Sequence, residues 1–284
     1  MACRTCIINT WLHIYTTLYI MNADKIEKLI NRKVNKTECF AKKIGKGFRE
    51  NDIHKFRVSV KMLRSFLRLI AWHSGNHKVK IPGKLRRLYL LAGEIRELQL
   101  ELAFFGGKHI NVPEYLLELN NTMQHTKNEW KRIYTKKFFH KIASKLSGLH
   151  SEKVPKSAIG DWVKENAGKI EKLSHAILIS DIGLHDIRKM LKGIIYITRL
   201  GEKHCGVKGG EGIGIPVKYL EQIEQQAGDY YNRAVTLRNL LAYFSTNKKV
   251  KNNVISYCNE ERKLLQQQKV EIMASLRKIV RNML

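Results

Sequence analysis

Acidic residues are what this chain is short of. It has 25 Asp plus Glu against 52 Lys plus Arg in 284 residues, a formal net charge of +27. Such an imbalance repels itself in a compact state and points to an anionic partner: nucleic acid, an anionic membrane or polyphosphate. The shortage bears on catalysis too. A polyphosphatase or triphosphatase needs metal-holding carboxylates beside its phosphates. None cluster within the basic stripes below, so the expectation is a non-enzyme with no metal and no cofactor. Strand patterning is also missing: no alternating stretch of strand length recurs, and the fold class expected is all-α. The glycine-rich segment 201–216, GEKHCGVKGGEGIGIP, lacks the G-x-x-x-x-G-K-[ST] order of a phosphate loop and follows no strand, so it reads as a flexible connection. Five scattered cysteines without a secretory cleavage site read as reduced thiols in the cytoplasm. Cys3 and Cys6 have no second pair at zinc-finger spacing.

What is present is cation in rows. His54, Arg57, Lys61, Arg64 and Arg68 follow at steps of three and four, within an arc of about 80° on an α-helix. Ile53, Phe56, Val60, Leu63, Leu67 and Ile70 form an apolar stripe one residue earlier, rotated by about 100°. No acid lies between Ile53 and Ile70, whereas an ordinary surface helix mixes charges to gain i,i+4 pairs. His185, Arg188, Lys192 and Arg199 repeat the device, with Leu184, Ile187, Leu191 and Ile194 as the apolar stripe. A second match follows each copy: Ala92-Gly93-Glu94 and Ala227-Gly228-Asp229. The offsets are 131 residues (His54 to His185) and 135 (Ala92 to Ala227). Common order and offset imply an internal duplication.

The pattern H-x-x-R-V-x-x-K-x-L-R at His54–Arg64, then H-x-x-R-K-x-x-K-x-x-x-Y at His185–Tyr196, resembles the CHAD domain, the conserved histidine α-helical domain. Glycine-containing segments after each motif, Ala92–Gln99 and Ala227–Asn232, extend the resemblance, which covers roughly Met21 to the C-terminus. It implies two pseudo-symmetric helical bundles that bind inorganic polyphosphate on a basic surface without catalysis. Carried onto this chain, the binding residues are His54, Arg57, Lys61, Arg64, Arg68, Arg96, His185, Arg188, Lys189, Lys192 and Arg199. The chain departs from the pattern at Met62 and Ile195, where bases are usual, and at Glu97, Gln99 and Asn232, where aspartates are. A Gln at 99 is expected to loosen a basic side chain that an acid would hold.

Three segments follow. Residues 1–20 are apolar but broken by Asn9, His13 and threonines. They are too short and polar to span a membrane well, and read as a mis-start or loose extension, with a membrane-associating tail as the alternative. Residues 21–150 form the first helical half and 151–284 the second. A helix from Asn22 to about Arg49 comes first. Asn51 and Asp52 then cap the next, placing His54 in its first turn, and Ser180 and Asp181 do the same for His185. Both histidines are expected to strengthen binding as pH falls toward about 6.5. Pro82 starts a helix over Gly83–Phe105. Pro113 opens a long one through Leu146, kinked near Asn120. Residues 148–157 join the halves, and helices over 158–179, 217–244 and 253 to the end complete the chain.

Nucleic acid is the competing partner on charge alone, and weak, salt-dependent RNA or DNA binding is expected. Against specific recognition, the sequence has no helix-turn-helix, zinc-finger or RRM-type signature, and no aromatics are interleaved with the stripes. Cytoplasmic placement, with association to polyphosphate granules, goes with the first reading.

Overall fold

The computed structural model describes residues 20–106, 112–135, 137–147, 153–175, 179–206, 214–246 and 252–283. The reading of residues 1–20 falls, but for Ile20, outside them. Nine α-helices make up the described chain. Its only strands among the described residues are β1 (Ile20–Met21) and β2 (Val154–Pro155), which pair antiparallel with Met21 opposite Val154. The architecture is all-α.

In the first half, α1 (Ala23–Gly47) and α2 (Glu50–Ser74) form a hairpin. Asn22 caps α1 by accepting the Lys25 N–H at 3.0 Å. Phe48, with φ of 50°, ends α1 in the left-handed region, and its carbonyl accepts Nε2 of Gln99 at 2.9 Å. Gln99 therefore braces the α1–α2 turn, not a basic side chain. The sequence expectation for the start of α2 needs correction. Arg49 is its first flanking residue and supplies no side-chain cap. Glu50 and Asp52 instead lie in the first turn, where carboxylates complement the helix dipole. His54 thus falls in the second turn.

Next come α3 (Gly83–Gly106), α4 (Pro113–Ile133) and α5 (Lys137–Ser147). The single helix expected over 113–146 is thus two. The break is at Tyr134, which turns extended, not at Asn120. The second half follows with α6 (Lys156–Ser174), α7 (Asp181–His204), α8 (Val217–Thr246) and α9 (Asn252–Arg281). Ser180 caps α7 as expected, accepting the Gly183 N–H at 3.0 Å. Residues 201–204, expected in a loop, are the last turn of α7.

Each apolar stripe does what its spacing dictates. Ile53, Phe56, Val60, Leu63, Leu67 and Ile70 are all buried, as are Leu184, Ile187, Leu191 and Ile194. Burying a side chain of this kind contributes about 1.5–3 kcal/mol. Packing is parallel in the two halves: α1 on α2 and α2 on α3, then α6 on α7 and α7 on α8. The halves meet through α2 against α7, the two helices that carry the cation rows. Among the described residues no helix is long and apolar enough to cross a membrane.

Candidate anion-binding site

Because each cation row lies beside an apolar stripe, packing α2 on α7 draws the rows toward one another. The contacts are reciprocal. His54 feels the charge of Lys192, and His185 feels that of Lys61. Lys61 is pushed down to about 6 by burial first, then by Lys192, Arg57 and Arg188, with Glu224 opposing; Glu97 of α3 also lies within reach of Lys61 and Arg57. Lys192 is lowered by burial and by Arg188. Arg57, Lys61, Arg188 and Lys192 thus form one basic cluster where α2 meets α7.

Two glycines make room for two arginines. A Cβ on Gly93 of α3 would come 2.1 Å from Nη1 of Arg57. One on Gly228 of α8 would come 2.6 Å from Nη2 of Arg188. A mid-helix glycine costs about 1 kcal/mol relative to alanine. At these two places it lets a guanidinium lie flat on the neighbouring helix. This is the physical content of the Ala-Gly-acid repeat.

One turn before each glycine the halves diverge. Tyr89 precedes Gly93 by four residues; Glu224 precedes Gly228 by four. Arg57 donates to the Tyr89 carbonyl at 3.2 Å and stacks 4.8 Å from its ring centre. Arg64 takes the same ring at 5.4 Å, and Arg68 lies close enough to feel Arg64's charge. In the second half, Arg188 Nε donates to Glu224 Oε1 at 2.9 Å, and Lys192 Nζ reaches the same oxygen at 2.7 Å. Sequence reasoning missed Tyr89, Glu224 and Tyr231, all on partner helices. The repeated glycine, counted back by one turn, would have pointed to the first two. Aromatics do therefore accompany the stripes, but the Tyr89 face already carries arginine.

Both histidines are corrected. His185 stacks on Tyr231 at 4.0 Å between ring centres. Burial, then Lys189 and Arg188, push it down to about 4. Its buried Nδ1 has no hydrogen-bond partner among the described residues. Burial, then Arg96, Lys61, Lys192 and Arg57, lower His54. In the ligand-free protein both need more acid than the isolated side chain to become cations.

The remaining expected contacts lie at the rim. Lys189 pairs with Asp186 and Arg199 with Glu221, both cations about half exposed. Arg96 pairs with Glu50. Along α3, Glu97 lies within reach of Arg57 and Lys61, and Glu94 accepts from Thr126 at 2.8 Å. Glu101 is buried and accepts from Tyr115 and Asn239. Among the described residues no three His, Cys, Asp or Glu are grouped to hold a metal.

Glu224 is the carboxylate paired directly with these cations, through Arg188 and Lys192. Glu224→Gln is expected to tighten polyanion binding about tenfold, by freeing Arg188 and Lys192 from an ion pair worth about 1–2 kcal/mol when half-buried. The same change should lower the thermal midpoint of the ligand-free protein, since the cations lose their neutraliser. Weaker binding by titration calorimetry would mean that Glu224 acts chiefly to aim Arg188.

No family model and no curated protein matches this chain. Among solved structures, the CHAD domain from the plant Ricinus communis superposes with a TM-score of 0.68, covering 92% of this chain and 91% of that one. Identity is 14%, so the likeness is one of fold: the chain has a CHAD-like helical architecture.

Proposed function

We propose that this CHAD-fold protein binds inorganic polyphosphate in the groove between α2 and α7, and that it binds without catalysing a reaction. One observation carries the reading. Arg57, Lys61, Arg188 and Lys192 converge from two distant segments where α2 meets α7, four cations against two carboxylates, Glu97 and Glu224. A polymer of repeating phosphates, with no bases to read, suits a fixed array of this kind. Arginine grips phosphate oxygens with paired N–H groups, and lysine supplies point charge. Successive cations seven residues apart on one helix are about 10 Å apart along its axis, so one row tracks several phosphates.

Generic polyanion binding, with RNA or DNA as ligand, is the second reading, favoured by the charge of +27. The ring of Tyr89 already carries Arg57 and Arg64, which compete with a nucleobase for it. A cytoplasmic site of action, at polyphosphate granules, belongs to the first reading.

A competition titration separates the two. Immobilised long-chain polyphosphate is challenged with free polyphosphate, RNA and duplex DNA of equal charge. Wild type should prefer polyphosphate, and Arg57→Ala/Arg64→Ala/Arg188→Ala should lose that preference while remaining helical by circular dichroism. Equal competition by all three polyanions, with the variant only lowering the salt slope by roughly 2, would leave a generic binder.

A further inference from the structure

Away from the groove, a second group of cations gathers where the C-terminus of α7 meets α1. Lys25 Nζ donates to the His204 carbonyl at 2.6 Å, which fixes the end of α7 against the first helix. The charges acting on Lys33 are those of Lys36 and Lys203. Those acting on His204 are Lys203, Lys33, Arg32 and Lys25. Among the described residues, Arg32, Lys33, Lys36 and Lys203 are in no ion pair. The central groove contains Glu97 and Glu224; the charges acting on Lys33 and His204 include no carboxylate.

The sequence of α1 explains the segregation. Lys25, Arg32, Lys33 and Lys36 fall within an arc of about 100° on one flank of its buried stripe. Glu27 and Glu38 fall on the opposite flank, rotated by about 120–140° from Lys33. Lys33 is half-buried, so its charge is partly stripped of water beside two other cations. Burial, then those cations, lower its proton affinity. A solvated surface row would spread such charges or mix acids among them.

This cluster is also aligned with the groove. On α7, Lys203 follows Arg199 by four residues and falls in the same arc as His185, Arg188 and Lys192. It lies roughly 17 Å beyond Lys192 along the helix axis. We propose that Arg32, Lys33, Lys36 and Lys203 form a second anion-binding subsite, which an inorganic polyphosphate reaches only when its chain is long enough to run from the central groove along α7 onto α1. The proposal rests on the reading of the central groove. It adds to that reading a selectivity for chain length.

The test compares tripolyphosphate, which the central groove accommodates alone, with long-chain polyphosphate. Arg32→Gln/Lys33→Met/Lys36→Gln/Lys203→Gln keeps side-chain length and helicity while removing four charges. Long chains should bind at least about tenfold more weakly to it, with the salt slope reduced by roughly 3. Tripolyphosphate should bind within about twofold of wild type, since no central cation is touched. Lys203→Glu, which leaves α1 untouched, should move long-chain affinity in the same direction. Unchanged long-chain affinity in both variants would make the flank a solvated face and leave the central reading standing. An equal loss for short and long chains in both would show that the subsite is not separate. Binding of neither ligand by wild type would remove the central reading and this one together.

Discussion

Gly93→Ala combined with Gly228→Ala is expected to abolish tight polyphosphate binding in a protein that stays folded. Each new Cβ would occupy the space of a guanidinium, 2.1 Å from Arg57 Nη1 and 2.6 Å from Arg188 Nη2. The obstructing atoms are the far ends of long side chains, held to the Tyr89 carbonyl and to Glu224, so the arginines swing off those partners and the helices stay where they are. Each arginine lost from its aim removes a charge-assisted contact worth about 1.5–3 kcal/mol. The pair together should weaken binding by about 10²- to 10⁴-fold. The backbone gains in return, since alanine is favoured over glycine inside a helix by about 1 kcal/mol. The thermal midpoint should accordingly hold within a few degrees or rise. Gly168→Ala in α6, whose Cβ would meet nothing within 4 Å, is the control: stability up, binding unchanged. Wild-type affinity in the double variant, measured by titration calorimetry, would show that neither arginine contacts the ligand.

Affinity should also rise as pH falls, and above the ordinary histidine range it should do so through a lysine. Lys61 is held down to about 6 in the ligand-free protein. A bound polyanion leaves the burial of Lys61 in place but offsets the repulsion of Lys192, Arg57 and Arg188 and so raises it from there toward the ordinary lysine value near 10.4. Between those two values the complex holds a proton that the free protein lacks. Binding therefore takes up a proton, and affinity increases by up to about tenfold for each unit of acidification, levelling off below about pH 6. Folding of the free protein has the opposite trend. The unfolded chain binds that proton more tightly than the native one, so stability rises with pH from about 6 toward the ordinary lysine range. Lys61→Met should flatten both profiles over that window. Calorimetry in buffers of different ionisation enthalpy reads the proton uptake directly. An affinity that is flat from pH 6 to 9, or one that rises with alkalinity, would refute this role for Lys61.

The parts that could be read from the residues were those with local periodicity. The buried stripe from Ile53 to Ile70, its copy from Leu184 to Ile194 and the cation rows beside them all follow from a 3.6-residue repeat. The folded protein keeps each. Contacts from other helices were not readable in this way. Tyr89 and Glu224 occupy corresponding places yet differ in chemistry, so the rows alone could not reveal that one half neutralises its arginine and the other stacks it. The histidines were misjudged for the same reason. Their charge state depends on burial and on cations brought from the opposite half. Tyr134 broke a helix with no proline or glycine to mark it. Gln99 was judged by the acid it replaces, whereas its amide serves the Phe48 carbonyl two helices away.

The meeting of α2 and α7 has a kinetic side. Lys61 and Lys192 are 131 residues apart in the chain, so their approach is among the most nonlocal events in folding. Such contacts carry the largest loop-closure cost and form late. Hairpins such as α1–α2 can form locally and early. A ribosome-tethered first half would carry one row of cations and no groove. The two rows would come together only when α7 docks on α2, after the whole of the first half and most of α7 have been made.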